Sequence, residues 1–402
     1  MSHHKSIRSG TGARGHRAGL IMAALLVAGM IAPAAWAAPA LQTGTLRIGY
    51  LGIDGSDAAN GAHLAIDQIN STGGVTALDG NLYQFELVTL AATPTAESLP
   101  TDITGLIAQN LVALLGPDEA NVLSPENVQA LVSAGLPVLT GATTDTLTDD
   151  DTADVLFRIR APERVYSNAL ATYLVGDLGL TSFVLVQTDI VSTEALLDFE
   201  NALSAANIVP AGKVQLASST GLAEQGNGIL ALNPEAVVMW GPFEDAAALL
   251  GQLRDGGWQG QFAYRFAEEA AEAKVLPDSL ADGVVGVTSW SYAYTGRAAR
   301  IFLHDYVTTF GKVPGALSVA AYDAMWYLRA VVQAAGVDPD AVRAALIQGS
   351  AQALVAGTLD PATFGDGDLI RMAMVYKLGP GGGSTVVAVF NDTQRMQIET
   401  AG

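Results

Sequence analysis

The sequence predicts an α/β protein built as two similar Rossmann-like lobes, and three observations predict it. Short β-rich apolar runs alternate with helical patterns from Thr45 almost to the C-terminus, the signature of parallel sheets with right-handed crossovers. That strand–helix series runs twice along the chain. With 402 residues, half of them apolar and none of them cysteine, the chain is too long for one ordinary core and relies on burial rather than disulfides.

The N-terminus is set aside first. Lys5, Arg8, Arg14 and Arg17 precede an apolar run from Leu20 to Ile31, then Pro33 and Ala35-Trp36-Ala37. A basic segment, a short apolar segment and an A-x-A site predict a secretory signal peptide over residues 1–37, cleaved after Ala37. Leu20–Ala38 approaches the ~20 residues of a membrane span, but Pro33 and the small-residue site favour cleavage. Gly10-Thr11-Gly12-Ala13-Arg14-Gly15 fits G-x-G-x-x-G, yet no strand precedes it, so it carries no dinucleotide site. Without cysteine the N-terminus carries no lipid anchor.

Along the first series, Leu46–Leu51 reads as a strand. Asn60–Asn70 follows as a helix, with Ala62, Ala65, Ile66 and Ile69 at helical spacing. Next come Tyr83–Leu90 (strand), Ile103–Asn110 (helix), Val112–Leu115 (strand), Val122–Ala134 (helix) and Pro137–Leu139 (strand). The second series begins after Leu156–Arg160. It has helices at Tyr166–Leu178, Glu194–Ala206 and Glu244–Arg254, with strands at Phe183–Val186, Ala236–Trp240 and Val284–Thr288. Ala298–Phe310 and Ser318–Ala335 read as helices. The Gly-rich turn Gly379–Ser384 joins Met372–Leu378 to Thr385–Phe390 as a hairpin.

Forty acidic residues against 20 basic give a formal net charge of −20, which repels nucleic acid and anionic lipid headgroups and excludes both as partners. Enzyme chemistry finds little support. Beyond the leader only His63 and His304 remain, both in helical patterns, and there is no G-x-S-x-G, P-loop or H-E-x-x-H. Glu268-Glu269 and Asp149-Asp150-Asp151 read as solvated faces. The chain is therefore expected to be no enzyme and to need no cofactor or metal.

Several ordered segments carry a resemblance. Gly61–Asn70 with Gly73-Gly74-Val75, Leu106–Gln109 through Leu115-Gly116-Pro117, and Ala134–Leu139 with Gly141-Ala142-Thr143 and Leu147-Thr148 come first. Phe157-Arg158 and Ala321-Tyr322-Asp323-Ala324 follow. In this order they resemble the branched-chain amino-acid-binding (leucine/isoleucine/valine-binding) proteins of ABC transporters, the type I periplasmic solute-binding family. The resemblance implies two Rossmann-like lobes joined by three crossovers, lobe one over 44–160 and 288–370 and lobe two over 161–287 and 371–402. It also implies an extracytoplasmic receptor that delivers a small ligand (an amino acid, amide or carboxylate-bearing compound) to an ABC permease. The chain would be periplasmic or extracellular and monomeric. An exported sensor or regulatory module contacting a signalling or cell-wall protein is the alternative.

In such a site the Gly141-Ala142-Thr143 loop follows a strand and offers backbone N–H groups to a carboxylate, while Thr143 adds a hydroxyl. The second loop runs Gly116 to Asn121. The family's carboxylate-binding serine is here Ala120, and Asn121 either substitutes as a donor or caps a helix. Other positions depart from the family. The loop Gly52–Asp57 is short, and the tyrosine-bearing segment reads Thr188-Asp189-Ile190-Val191. The acidic residue that pairs with a ligand ammonium falls at Phe266, between Arg265 and Glu268. A missing ammonium partner would leave a buried charge unpaired, which suggests an uncharged or carboxylate-bearing ligand with an apolar body. Tyr166, Trp240, Phe243, Phe266 and Trp290, at predicted loop ends, are the candidate apolar contacts.

Overall fold

The computed structural model describes residues 42–148, 151–188, 193–216 and 222–398. The leader and Asp189-Ile190-Val191 lie outside them. The first sheet comprises β1 (Thr43–Ile53), β2 (Val75–Thr76), β3 (Leu82–Leu90), β4 (Leu111–Leu115), β5 (Val138–Thr140) and β6 (Leu156–Arg158), in the order β2-β3-β1-β4-β5-β6. All its pairings are parallel except β2 with β3.

The second sheet holds β7 (Phe183–Thr188), β8 (Gly212–Leu216), β9 (Ala236–Trp240), β10 (Gln261–Tyr264) and β11 (Val285–Thr288). After the small hairpin β12 (Gln352–Ala353) and β13 (Thr358–Leu359), the chain adds β14 (Met372–Leu378), β15 (Ser384–Asn391) and β16 (Gln394–Met396). The order is β16-β15-β14-β11-β10-β9-β7-β8, parallel from β11 to β8 and antiparallel beyond. The βα repeat is therefore present twice, as the alternation predicts.

Burial explains why the central strands read so clearly. Phe183, Leu185, Ala236 and Val238 pack into one helical layer, and Val184, Val186, Val237 and Met239 into the layer on the opposite face. Apolar residues on both pleat faces make the near-continuous hydrophobic run of a covered parallel strand. β8 and β10 escape the sequence reading. β8 is an outer strand whose side chains alternate between exposed and half-buried until Leu216, and β10 has only four residues.

Three segments carry the chain between the sheets. Arg158 on the first donates to the Asp368 carboxylate on the third, with both side chains fully buried, and Arg371 Nε adds a bond to Asp368 at 2.8 Å. On the second, Ser289 Oγ accepts from Arg160 Nε at 3.4 Å. Buried, multiply bonded ions of this kind are costly to break one at a time, so the crossovers hold a defined geometry.

The helix Asp57–Ser71 packs against Ala316–Ala335 closely enough that a Cβ on Gly61 would lie 1.9 Å from the Ser318 carbonyl oxygen. Only glycine admits that approach. Trp290, expected near a ligand, instead belongs to the first sheet's core. It is 2 % exposed and meets Phe302 edge-on at 5.8 Å.

Candidate functional site

Ligands of open α/β sheets bind beyond the carboxyl ends of the strands, and one cavity of about 450 Å³ opens there. From the first sheet it takes Asp57 after β1, Asp118, Glu119 and Asn121 after β4, Thr143 and Thr144 after β5, and Arg160 after β6. From the second it takes Trp240 at the end of β9 and Arg265, Phe266 and Glu269 after β10. The first turns of three helices add Glu163, Glu194 with Ala195, and Ala316 with Leu317.

Of the residues singled out from sequence, Asn121, Thr143, Trp240 and Phe266 line this space. Ala120 heads the single turn Ala120–Val122, and its side chain lies outside the described set. Gly141 and Ala142 sit behind the lining. The Gly141 N–H donates to Asp118 Oδ1 at 3.0 Å, and the Ala142 N–H to Thr140 Oγ1 at 3.1 Å. Two of the backbone donors expected to be free for a ligand carboxylate, those of Gly141 and Ala142, are therefore satisfied by the chain itself. Phe243 packs against the second sheet's core. Tyr166 is fully buried beneath Arg265, whose guanidinium carbon lies 3.9 Å from the ring centroid.

Charged residues that sequence reasoning did not weigh organise the cavity. Arg265, 1 % exposed, donates from Nε to Glu163 Oε1 at 2.9 Å and from Nη1 to the Val287 carbonyl. Trp240 Nε1 reaches the same Glu163 oxygen at 3.4 Å. Arg160 Nη1 donates to the Gly141 carbonyl at 3.2 Å. Asp118 also accepts from the Tyr50 hydroxyl at 3.3 Å, and Asp57 accepts from the Tyr306 hydroxyl and the Gly315 N–H, both at 3.1 Å.

No acidic residue stands at position 266 itself, but one reaches the cavity three residues on. Glu269 lines the cavity, and its Oε2 is enclosed without a hydrogen-bond partner. Burial pushes both Glu269 and Asp118 upward from the ordinary carboxylate range, against the pull of nearby Arg160. Its neighbour Glu268 is buried rather than solvated, 6 % exposed, and accepts from Ser291 Oγ at 2.7 Å. The pair expected on a solvated face thus turns inward. The signal that could have found Arg265 is a charge directly after a short apolar strand; Arg160 alternates with Arg158 across the apolar Ile159.

The arrangement offers hydrogen-bonding charges, a hydroxyl and two aromatic rings around an enclosed space. No nucleophile–base pair is assembled among the named lining residues. Among the described residues no group of three or more His, Asp or Glu side chains is placed to hold a metal.

Comparisons with known proteins agree with this fold. The chain superposes on a Streptococcus pneumoniae branched-chain amino-acid transporter substrate-binding protein, LivJ, in complex with isoleucine. The TM-score is 0.71 at 19 % identity, covering 86 % of this chain and 99 % of that one. An ABC transporter substrate-binding protein from Sphaerobacter thermophilus gives 0.73 at 18 %, covering 87 % and 98 %. A Rhodopseudomonas palustris solute-binding protein in complex with benzoate gives 0.69 at 16 %, covering 89 % and 98 %. No curated protein matches the chain. The family model described as periplasmic binding protein matches residues 45–382, and with the type I fold of two sheets joined by three crossovers, the chain belongs to the periplasmic binding protein family.

Proposed function

We propose that this protein is the exported solute-binding receptor of an ABC importer, capturing a small organic molecule between two lobes. The observation that carries the reading is the cavity itself, whose walls follow strand ends of both sheets and which has room for such a solute. The lobes are taken as 44–160 with 288–370 and 161–287 with 371–402, closing by hinge motion at the crossovers. The leader is taken as cleaved after Ala37, placing the protein outside the cytoplasm as a monomer that meets a membrane permease. Isoleucine and benzoate in the related structures set the size of candidate ligand.

A thermal-shift screen of amino acids, amines, amides and aromatic acids tests the reading. A ligand at about 100 times its Kd adds roughly 2.7 kcal/mol of stability. A hit should also shrink the radius of gyration in solution scattering as the lobes close. Absence of any small-solute hit would favour the sensor alternative, in which a protein partner is recognised.

A further inference from the structure

We propose that the ligand carries a positively charged nitrogen (an amine or guanidine) and no carboxylate, held between Asp118 and Glu269. The proposal rests on the receptor reading above and names the ligand class of that same cavity.

The first observation is what occupies the lobe-one loop. A strand-end loop with free N–H groups attracts an anion. Here Asp118 Oδ1 already accepts from Gly141 at 3.0 Å, and a Cβ at Gly141 would meet that same oxygen at 2.7 Å. The chain has placed its own carboxylate on the anion position. A second carboxylate brought by a ligand to the Gly141 N–H would meet Asp118, and like charges at such range are repelled.

The second observation is Glu269. The residue lines the cavity, and its Oε2 is shielded from solvent and has no partner. An enclosed acceptor left unmade is costly, and a donor carried by the ligand satisfies it. Arg265 does not fill this role, since no hydrogen bond reaches Oε2, while its Nε donates to Glu163 and its Nη1 to Val287.

Charge and shape agree. Asp57, Asp118, Glu119, Glu163, Glu194 and Glu269 face the cavity against only Arg160 and Arg265 among the described residues. The rings of Trp240 and Phe266 border the same space, and an aromatic face beside carboxylates suits a desolvated cation. Phe266 already has the Arg265 guanidinium 5.0 Å from its centroid, so Trp240 is the ring left for the ligand.

Calorimetry on the purified protein with cadaverine, agmatine and butylamine, against leucine and benzoate, tests the inference. At least one amine or guanidine probe should bind, with leucine and benzoate about 100-fold weaker or undetectable. Asp118→Asn keeps an acceptor for the Gly141 N–H while removing the charge, and Glu269→Gln keeps the shape. Each should weaken the bound cation by about 30-fold or more while the unliganded protein melts within a few degrees of the parent. Binding of leucine or benzoate without any cationic probe would overturn this inference and leave the receptor reading standing. Unchanged cation affinity in both variants would overturn the assigned residues. Failure of every small solute in calorimetry and the wider screen would overturn the receptor reading together with it.

Discussion

The Arg265 guanidinium lies 3.9 Å from the Tyr166 ring centroid while its Nε donates to Glu163 at 2.9 Å. Arg265 follows β10 and Glu163 opens a helix 102 residues earlier. With the bond to the Val287 carbonyl, their pairing ties the end of β10 to β11 and to the first turn of the helix Glu163–Ala171. Arg265→Ala would leave Glu163 enclosed without its cation. The expected cost is about 3–5 kcal/mol of stability, read as a lower urea midpoint. Arg265→Lys should recover only part of it, since an ammonium lacks the planar fork that stacks on Tyr166.

Trp290 separates a core role from a ligand role. Trp290→Ala should destabilise the protein by about 3–5 kcal/mol in chemical denaturation. The folded variant should bind the best solute as tightly as the parent in calorimetry. A selective loss of affinity would put the indole at the ligand.

Thr143 makes the opposite prediction. Its hydroxyl borders the cavity, and one hydrogen bond contributes about 0.5–1.5 kcal/mol. Thr143→Ala should therefore weaken the best ligand by about 3- to 10-fold without lowering the melting temperature of the unliganded protein. Unchanged affinity would place the site elsewhere.

Glu268 makes stability depend on pH. Burial is the main cause that raises its carboxyl to about 8, with Glu269 and Glu272 adding to it and the bond from Ser291 Oγ opposing. Because its folded-state value exceeds the unfolded one, the folded protein holds the proton more tightly. The contribution is complete below the ordinary glutamate range and is lost as pH rises through about 8. Asp323, raised by burial to about 7, acts in the same direction. Glu268→Gln isolates the first effect. Melting temperatures at pH 5, 7 and 9 should show the parent falling more steeply than the variant, with the variant ahead at pH 9.

Much of the fold was legible because fully covered strands such as Phe183–Val186 and Ala236–Trp240 leave unmistakable apolar runs. β8, β10 and β16 were not, because edge exposure and brevity erase the same signal. The site was legible only in part. Trp240 and Trp290 both stand near strand ends and both are buried in a core, yet only Trp240 also lines the cavity; local sequence carries no mark of that choice. Asp57, Glu163 and Glu194 look like ordinary first-turn acids, favoured by the helix dipole. Their second role depends on Arg265, Gly315 and Asp145, far away in sequence. Asp118 is the clearest case, since its meaning appears only once Gly141 lies beneath it.

The contact at Gly61 acts as a spacer for recognition. Ser318, whose carbonyl would lie 1.9 Å from any Cβ there, is one residue past the cavity-lining Gly315-Ala316-Leu317 segment. The separation of two helices thus sets where one wall of the binding chamber stands. A methyl group added at position 61 would move that wall without touching any ligand. Under the proposed receptor function, selectivity is therefore exposed to changes at a helix seam as well as to changes at the cavity.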